Sequence, residues 1–149
     1  MITSDEVEAI NRKLRDLART DPAIKYGLAD SPTNVNALKA IVRRLPTGPP
    51  TLTAAWLLRA IILIQPFPDG NHRTALLAAE LVLQRSGIRF DPSVEDASNF
   101  QREISSARYR LLGGYDDAPL SVLERPEDPV LELCHKFVEA CISTKGAKD

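Results

Sequence analysis

The residues best suited to chemistry lie in one short polar segment, 65–73, with the sequence Gln-Pro-Phe-Pro-Asp-Gly-Asn-His-Arg. Gly70 and Asn71 both tolerate positive φ, so a turn here would let successive main-chain N–H groups converge on an anion. Asn71 is also a suitable N-cap for a following helix, whose free amides and positive dipole end favour phosphate. We therefore predict a phosphate-binding loop at a helix start, with Gly70 and Asn71 forming its anion nest.

Two charged side chains strengthen this interpretation. Arg73 would lie in the first helical turn, where a cation is unfavourable unless an anion offsets it, and its forked donors suit phosphate oxygens. Asp69 beside a phosphate would be a natural ligand of Mg²⁺, because Mg²⁺ commonly bridges one carboxylate and phosphate oxygens. A plain helix–loop–helix connection capped by Asn71 would explain Gly70 and Asn71, but it would not explain the two charges.

Strongly apolar helices are predicted on both sides of this segment. One extends from Ala54 to Ile64 with a cap at Thr51 or Thr53, and the other from His72 to Arg85 with Gly87 ending it. Helices of this kind belong in the middle of a domain. A polar loop between them is costly to bury unless its groups find partners, so the loop is the place to look for function.

The rest of the chain predicts about four further helices. Thr3 and Glu6 have the spacing of a capping box, ahead of an amphipathic helix that ends near Arg19. A helix is predicted over 35–45, capped by Thr33 or Asn34, followed by a non-helical connection at 46–50 that is a flap candidate and, further on, by a strand or connector at 88–90. Ser93 and Asp96 open another helix, which Gly113 and Gly114 close. Its face with Arg102, Glu103, Arg108 and Arg110 is predicted to be solvated or, alternatively, to be a partner surface. A last helix extends from about Pro129 to Ile142.

Length and composition fit one globular domain. The chain has 149 residues, of which 44% are hydrophobic and 26% charged, enough to bury a core. With the helices above, this predicts a single all-α domain over residues 1–149, a bundle of about six helices with a disordered tail at 144–149. The formal net charge of −1 gives no basic field, so we expect no direct binding of nucleic acid.

Nothing in the sequence predicts a membrane span or an oxidised compartment. Arg59 interrupts the longest apolar stretch, at 54–64, and a span needs about 20 apolar residues. The first residues lack the basic start and apolar run of a signal peptide, so we expect a cytoplasmic location. Cys134 and Cys141 would lie about 10 Å apart on one helix, too far for a disulfide, and we expect reduced thiols.

The polar segment resembles the active-site motif of the Fic/Doc (fido) family, which is His-x-Phe-x-Asp/Glu-Gly/Ala-Asn-Gly/Lys-Arg. The resemblance extends from about residue 2 to residue 112, and the motif is its only specific part. It implies an all-helical fold with the motif between two central helices and a flap upstream. The residues that fit in order and spacing are Pro66, Phe67, Asp69, Gly70, Asn71, Arg73 and the trailing Thr74-Ala-Leu.

The resemblance implies a role for each motif residue. Asp69 would hold Mg²⁺, and Gly70 and Asn71 would form the anion nest. Arg73 would contact the phosphates of ATP or another nucleoside triphosphate. His72 stands at the family's Gly/Lys position, beside the same phosphates. The family transfers AMP, another phosphate-containing group or, in the Doc branch, a phosphoryl group to a protein hydroxyl.

Two features favour the Doc-like (death-on-curing), toxin-type branch. The second arginine of the Fic motif would fall at position 76, which is Leu76 here. The self-inhibitory Ser/Thr-x-x-x-Glu-Gly/Asn helix is also missing, because Ala9 breaks the pattern that Ser4 and Glu8 begin. A Doc-like protein would modify a target such as a translation factor and would be inhibited by a Phd-like antitoxin supplied in trans.

Gln65 is the most serious departure from the family. The family has a histidine there, which takes the proton of the target hydroxyl, and a primary amide cannot accept that proton. Losing a general base typically costs about 10²–10⁴ in rate, although positioning and electrostatics alone can sustain residual transfer. His72 could replace the base, but its place beside the nest suits a phosphate contact better.

Three functions therefore stay open. The first is a Doc-like transferase that uses ATP and Mg²⁺ and is impaired by Gln65. The second is a catalytically inactive module that binds a nucleotide or a partner. The third, the weakest, is a purely structural helical domain.

Overall fold

The computed structural model describes residues 1–27, 31–113, 118–125 and 128–144. Within them the chain forms six α-helices, one 3-10 helix and two short strands, which confirms the all-α prediction. The elements in chain order are α1 (Ser4–Ala18), α2 (Val35–Arg43), α3 (Pro50–Ile64), α4 (Asn71–Gln84), β1 (Ile88–Phe90), α5 (Val94–Leu112), a 3-10 helix (Leu120–Glu124), α6 (Pro129–Cys141) and β2 (Ile142–Thr144).

Helix α3 is the centre of the bundle. Every residue from Thr53 to Leu63 except Trp56 is buried, and α4 and α6 both pack extensively against this helix. Helix α4 buries a face made largely of small residues against it, while Leu77 and Glu80 on its outer face are exposed. The two apolar helices predicted around the polar loop are therefore adjacent, and they fix both ends of that loop.

The predicted start of α3 was wrong. We expected a non-helical stretch at 46–50 and a threonine cap, but α3 begins at Pro50, with Pro49 as its N-cap and no side-chain cap among the described residues. Proline is favoured at the first helical position because the N–H that it lacks would have no intrahelical partner. The Thr53 hydroxyl instead donates to the Pro46 carbonyl, at 3.2 Å.

The predicted caps of the outer helices are mostly confirmed. Thr3 with Glu6 and Ser93 with Asp96 form complete capping boxes at the starts of α1 and α5. Asn34 caps α2 by accepting from the Ala37 N–H at 3.1 Å. The closing glycine of α5 is Gly113, with φ 71°, whereas Gly114 lies outside the described residues.

The end of the chain differs from prediction in one respect. The last helix ends at Cys141, and residues 142–144 form β2, which pairs antiparallel with β1 so that Ile88 faces Thr144. The disordered tail predicted from residue 144 is therefore wrong for Thr144, and residues 145–149 lie outside the described part. Three residues with little alternation carry too weak a period-2 pattern to predict such a strand.

Arg59, which seemed only to interrupt an apolar stretch, is fully buried. Its guanidinium forms an ion pair with Asp128 at 3.0 Å, and Nη2 also donates to the carbonyls of Val122, Leu123 and Arg125. Asp128 in turn caps α6 by accepting from the Leu131 N–H. One buried pair thus joins α3, the 3-10 helix and the start of α6.

Cys134 and Cys141 are free, the first buried and the second half-buried, as predicted. Burial raises the pKa of the Cys134 thiol above its ordinary value, which keeps it protonated at neutral pH.

Across the described residues, none of the helices combines the length and the hydropathy that crossing a bilayer requires.

The pair between Glu6 and Arg85 predicts a pH effect on stability. The hydrogen bonds from Arg85 and from the Thr3 backbone lower the pKa of Glu6 from 4.5 to about 2. Because the folded-state pKa is the lower one, this stabilisation is complete above pH 4.5 and is lost as the pH falls through about 2. We expect Glu6→Gln, which keeps the capping acceptor but loses the charge, to lower the melting temperature at pH 7 and to converge with the unmodified chain near pH 2.

Thermal unfolding followed by circular dichroism between pH 7 and pH 2 measures this difference. Glu8→Gln is the matched control, since Glu8 forms an exposed pair with Arg12 one turn along the same helix, at 3.4 Å. A Glu6→Gln melting temperature that stays parallel to that of the unmodified chain over the whole range would contradict the prediction.

Candidate active site

The loop between α3 and α4 starts at a residue with unusual backbone geometry. Gln65 is the C-cap of α3 with φ 51° and ψ 63°, and it is the one non-glycine residue of the described chain with positive φ. Its N–H still donates to the Ile61 carbonyl, at 2.8 Å, while its side chain is exposed. Left-handed geometry at a residue other than glycine costs free energy and clusters at functional sites. Gln65, at the position that the resemblance assigns to the base histidine, therefore exposes its side chain to solvent from a strained turn.

The start of α4 favours glycine at position 70. Gly70 is the N-cap with φ 73°, a conformation that other residues rarely adopt. A Cβ atom there would lie 3.2 Å from Nδ2 of Asn11 and 3.4 Å from the Tyr26 ring. The backbone conformation and the close packing thus both disfavour a side chain at this point.

The prediction that Asn71 caps α4 was wrong. Asn71 is the first residue of the helix, and its buried side chain bonds back to Phe67, accepting from the Phe67 N–H at 3.1 Å and donating to the Phe67 carbonyl at 2.9 Å. Both polar atoms of the amide therefore close the turn, and the Phe67 side chain is buried in the core. No side chain among the described residues caps α4, which leaves the amides at its N-terminus available to an anion.

Asp69 directs its carboxylate towards main-chain donors. Oδ1 accepts from the Gly70 N–H at 2.7 Å, and Oδ2 accepts from the Gly27 N–H at 2.6 Å. The Gly70 N–H that we assigned to the anion nest therefore bonds to Asp69 in this conformation. Each carboxylate oxygen retains a second lone pair, so the donor set still suits a hard cation such as Mg²⁺.

Arg73 lies on the same turn, half-buried. Its Nη2 donates to the Lys25 carbonyl, and the guanidinium has further donors beyond this one. Asp69 and Arg73 thus both bond to the main chain of the stretch that follows α1. Asp69, Gly70, Asn71 and Arg73 lie on one turn at the start of α4, and their role at a phosphate site stays a prediction.

A buried polar network around Asn11 of α1 supports the turn that enters α4. The sequence analysis did not predict this network. Asn11 of α1 is 3% exposed and donates through Nδ2 to the Asp69 carbonyl at 2.9 Å and to the Thr74 hydroxyl at 3.0 Å. Its Oδ1 accepts from the Tyr26 hydroxyl at 2.7 Å. Burial raises the pKa of Tyr26, which keeps this donor protonated. The signal was present in the sequence, because Asn11 is the polar residue on the buried face of α1.

His72 is half-buried beside Arg108. Burial first, and the charge of Arg108 second, lower the pKa of His72, so the imidazole is neutral at pH 7. Arg108 was predicted on a solvated face, but it is 3% exposed, and its guanidinium donates to the Leu63 carbonyl at 3.0 and 3.3 Å. It satisfies the Leu63 carbonyl at the end of α3, two residues before Gln65, where a cation complements the helix dipole.

A metal ion bound at this turn would need some of its ligands from a bound nucleotide. In the part of the chain that the structure describes, no three His, Cys, Asp or Glu side chains converge as a metal site. Mg²⁺ held by Asp69 would therefore take its remaining ligands from nucleotide phosphates and water, which is its usual arrangement with triphosphates.

Comparison with known proteins identifies the family. The sequence profile of the Fic/DOC family matches residues 2–83, more than half of the chain and the whole of the candidate site. A fido domain-containing protein of Dictyostelium discoideum is 35% identical over 75 residues, which are 50% of this chain and 52% of that protein. The chain thus spans about half the length of this relative. No solved structure matches the chain.

The chain belongs to the Fic/DOC family. This family is known for transferring AMP and other nucleotidyl groups to proteins, and its enzymes use nucleoside triphosphates, typically with Mg²⁺. The match ends at residue 83, near the end of α4, so it covers the helices that hold the loop and stops before α5 and α6.

Proposed function

We propose that this chain is a Doc-like transferase. It binds ATP or another nucleoside triphosphate with Mg²⁺ at the start of α4 and transfers a phosphoryl or nucleotidyl group to a protein hydroxyl. The observation that carries the proposal is the turn itself, where one carboxylate, one guanidinium and a helix start without a side-chain cap meet between the two central helices.

Each residue has a role that its contacts support. The amides of Asn71 and His72 and the guanidinium of Arg73 bind phosphate oxygens, while Gly70, whose N–H bonds to Asp69, provides the left-handed backbone that starts the helix. Asp69 holds Mg²⁺, which neutralises charge on the phosphates when bound. Asn11 and Thr74 fix the turn from below, through hydrogen bonds of 2.9 and 3.0 Å. The site works chiefly by positioning and charge stabilisation, which dominate phosphoryl transfer.

The transfer step explains why Gln65 matters. The hydroxyl oxygen of the target forms a bond to phosphorus while the bond from that phosphorus to the leaving oxygen breaks, releasing pyrophosphate in AMP transfer or ADP in phosphoryl transfer. The hydroxyl proton needs an acceptor, and an amide at position 65 cannot be one. The proton would pass to water or to a phosphate oxygen, so we propose slow transfer.

The Doc-like assignment, the partners and the location belong to this proposal. Leu76 stands where the second arginine of the Fic motif would be, which supports the branch whose members are toxins. We propose a target in the translation apparatus, a Phd-like antitoxin as inhibitor and the cytoplasm as the site of action, where nucleoside triphosphates are available. The net charge of −1 argues for a protein target and against direct nucleic-acid binding.

A second function is supported by the same position. Gln65 removes the base while leaving the turn intact, and this combination suits a catalytically inactive module that binds a nucleotide or a partner. Both functions require nucleotide binding at the turn or partner binding over it, and they differ in whether a group is transferred.

Nucleotide binding provides the first test. We expect Arg73→Ala to weaken the binding of ATP with Mg²⁺ about 10- to 100-fold, because a hydrogen bond from a charged donor contributes about 1.5–3 kcal/mol. Isothermal titration calorimetry with the whole chain measures the dissociation constant. Arg102→Ala is the matched control, since Arg102 is an exposed arginine on α5, outside the site. Equal affinity of Arg73→Ala and the unmodified chain would refute the proposed phosphate site.

A further inference from the structure

Residues 25–27, which we name the strap, cross the candidate site and contact both of its charged side chains. The Lys25 carbonyl accepts from Nη2 of Arg73, and the Gly27 N–H donates to Oδ2 of Asp69 at 2.6 Å. Asp69 and Arg73 belong to α4 and its preceding turn, whereas the strap follows α1. The main chain of the strap thus supplies an acceptor to the Arg73 guanidinium and a donor to the Asp69 carboxylate.

We propose that the strap is an autoinhibitory segment whose main-chain groups occupy the positions of the ligand atoms. The Lys25 carbonyl oxygen stands where a phosphate oxygen would accept from Arg73. The Gly27 N–H takes one of the two lone pairs of Oδ2 through which Asp69 would meet a divalent cation. The inference rests on the proposed function, because it concerns access to the same nucleotide site.

The chemistry of the two contacts makes the strap and the ligand compete. A cation at Oδ2 would repel the positive end of the Gly27 N–H dipole, which already lies along one lone pair of that oxygen. A phosphate oxygen carries charge, so it is a stronger acceptor for a guanidinium than the neutral Lys25 carbonyl. A nucleotide with Mg²⁺ therefore replaces both contacts with stronger ones, and the strap opens when it binds.

Tyr26 holds the strap closed. Its hydroxyl donates to Oδ1 of Asn11 at 2.7 Å, and Asn11 is buried in the network beneath the turn. Its ring lies over Gly70, where a Cβ atom would approach it to 3.4 Å. The middle residue of the strap is thus anchored, while Lys25 and Gly27 on either side are exposed. Because only the open fraction binds ligand, the apparent affinity is the intrinsic affinity reduced by that fraction.

Removing the anchor tests this inference. We expect Tyr26→Phe to bind ATP with Mg²⁺ about 2- to 10-fold more tightly than the unmodified chain, because one neutral hydrogen bond no longer favours the closed strap. Tyr109→Phe, on the exposed surface of α5, is the matched control and should leave the affinity unchanged. Isothermal titration calorimetry gives the affinities, and thermal unfolding shows that each variant is folded.

A second variant and a second measurement make the test independent of one hydroxyl. Gly27→Pro removes the N–H that bonds to Asp69 and should also tighten binding, since Gly27 is exposed and proline has no amide donor. Hydrogen exchange followed by NMR reports the strap directly. We expect the Gly27 amide of the unmodified chain to be protected, and ATP with Mg²⁺ to increase its exchange rate.

The outcomes separate the strap from the proposed function. Tighter binding by both variants, with faster Gly27 exchange on adding ATP and Mg²⁺, supports the strap. Binding to the unmodified chain that weakens in both variants, with a Gly27 amide that stays protected, overturns the strap and leaves the proposed function standing. Absence of binding to every variant overturns both.

Discussion

Changing Gln65 to histidine should raise the rate of group transfer from ATP by about 10²–10⁴-fold, the usual contribution of a general base. Gln65 is exposed at the end of α3, so an imidazole there can reach a hydroxyl presented from solvent. Its left-handed backbone, φ 51°, is tolerated by histidine better than by most residues. The measurement is transfer of label from α-labelled and γ-labelled ATP to candidate target proteins, which also identifies the group transferred.

Two comparisons give this result its meaning. Gln101→His, an exposed glutamine on α5, controls for an added imidazole elsewhere on the surface. Gln65→His combined with Asp69→Ala should lose the gain, because the base acts only on a bound nucleotide. If Gln65→His binds ATP yet transfers no label to any target, the inactive binding module is the better account.

Removing Arg59 should have the largest effect on stability. Its guanidinium is 0% exposed and its partner Asp128 1%, so Arg59→Met leaves a buried carboxylate without its cation. Breaking such a pair from one side typically costs about 3–5 kcal/mol of unfolding free energy. Urea denaturation followed by circular dichroism measures this loss, with Arg89→Met on the exposed face of β1 as the control.

The double variant distinguishes the cost of an unpaired buried charge from the cost of lost packing. Asp128→Asn keeps an N-cap for α6 while removing the charge, since asparagine and aspartate cap helices about equally well. We expect Arg59→Met with Asp128→Asn to be more stable than Arg59→Met alone, because no unpaired charge stays buried. If the double variant loses as much as the two single variants added together, the penalty does not arise from the charge.

The fold was largely predictable because its signals are local. The capping boxes at Thr3 and Ser93 and the long apolar stretches of α3 and α4 locate four of the helices without knowledge of their packing. The errors occur where a contact with a residue distant in sequence determines the secondary structure. Thr144 joins a strand because β1 lies beside it, and no pattern within the last residues contains that information.

The sequence predicted which segment forms the candidate site, but it did not predict the hydrogen bonds within that site. Spacing alone brought Asp69, Gly70 and Arg73 to one turn. It could not show that Asn71 closes the loop on Phe67, nor that Asn11, 58 residues before Asp69, supports that turn. Arg59 and Arg108 were missed for the same reason, since a buried arginine has the same sequence signature as an exposed one until its partners are known.

In the proposed site, the turn entering α4 surrounds a polyphosphate with main-chain amides and the Arg73 guanidinium. The most direct measurement is a heteronuclear NMR titration of the unmodified chain with ATP and Mg²⁺, with every amide and arginine side-chain N–H followed. We expect the largest shifts at the amides of Gly70, Asn71 and His72 and at Nε of Arg73. Shifts confined to other parts of the molecule, or no shifts at all, would contradict the proposed site.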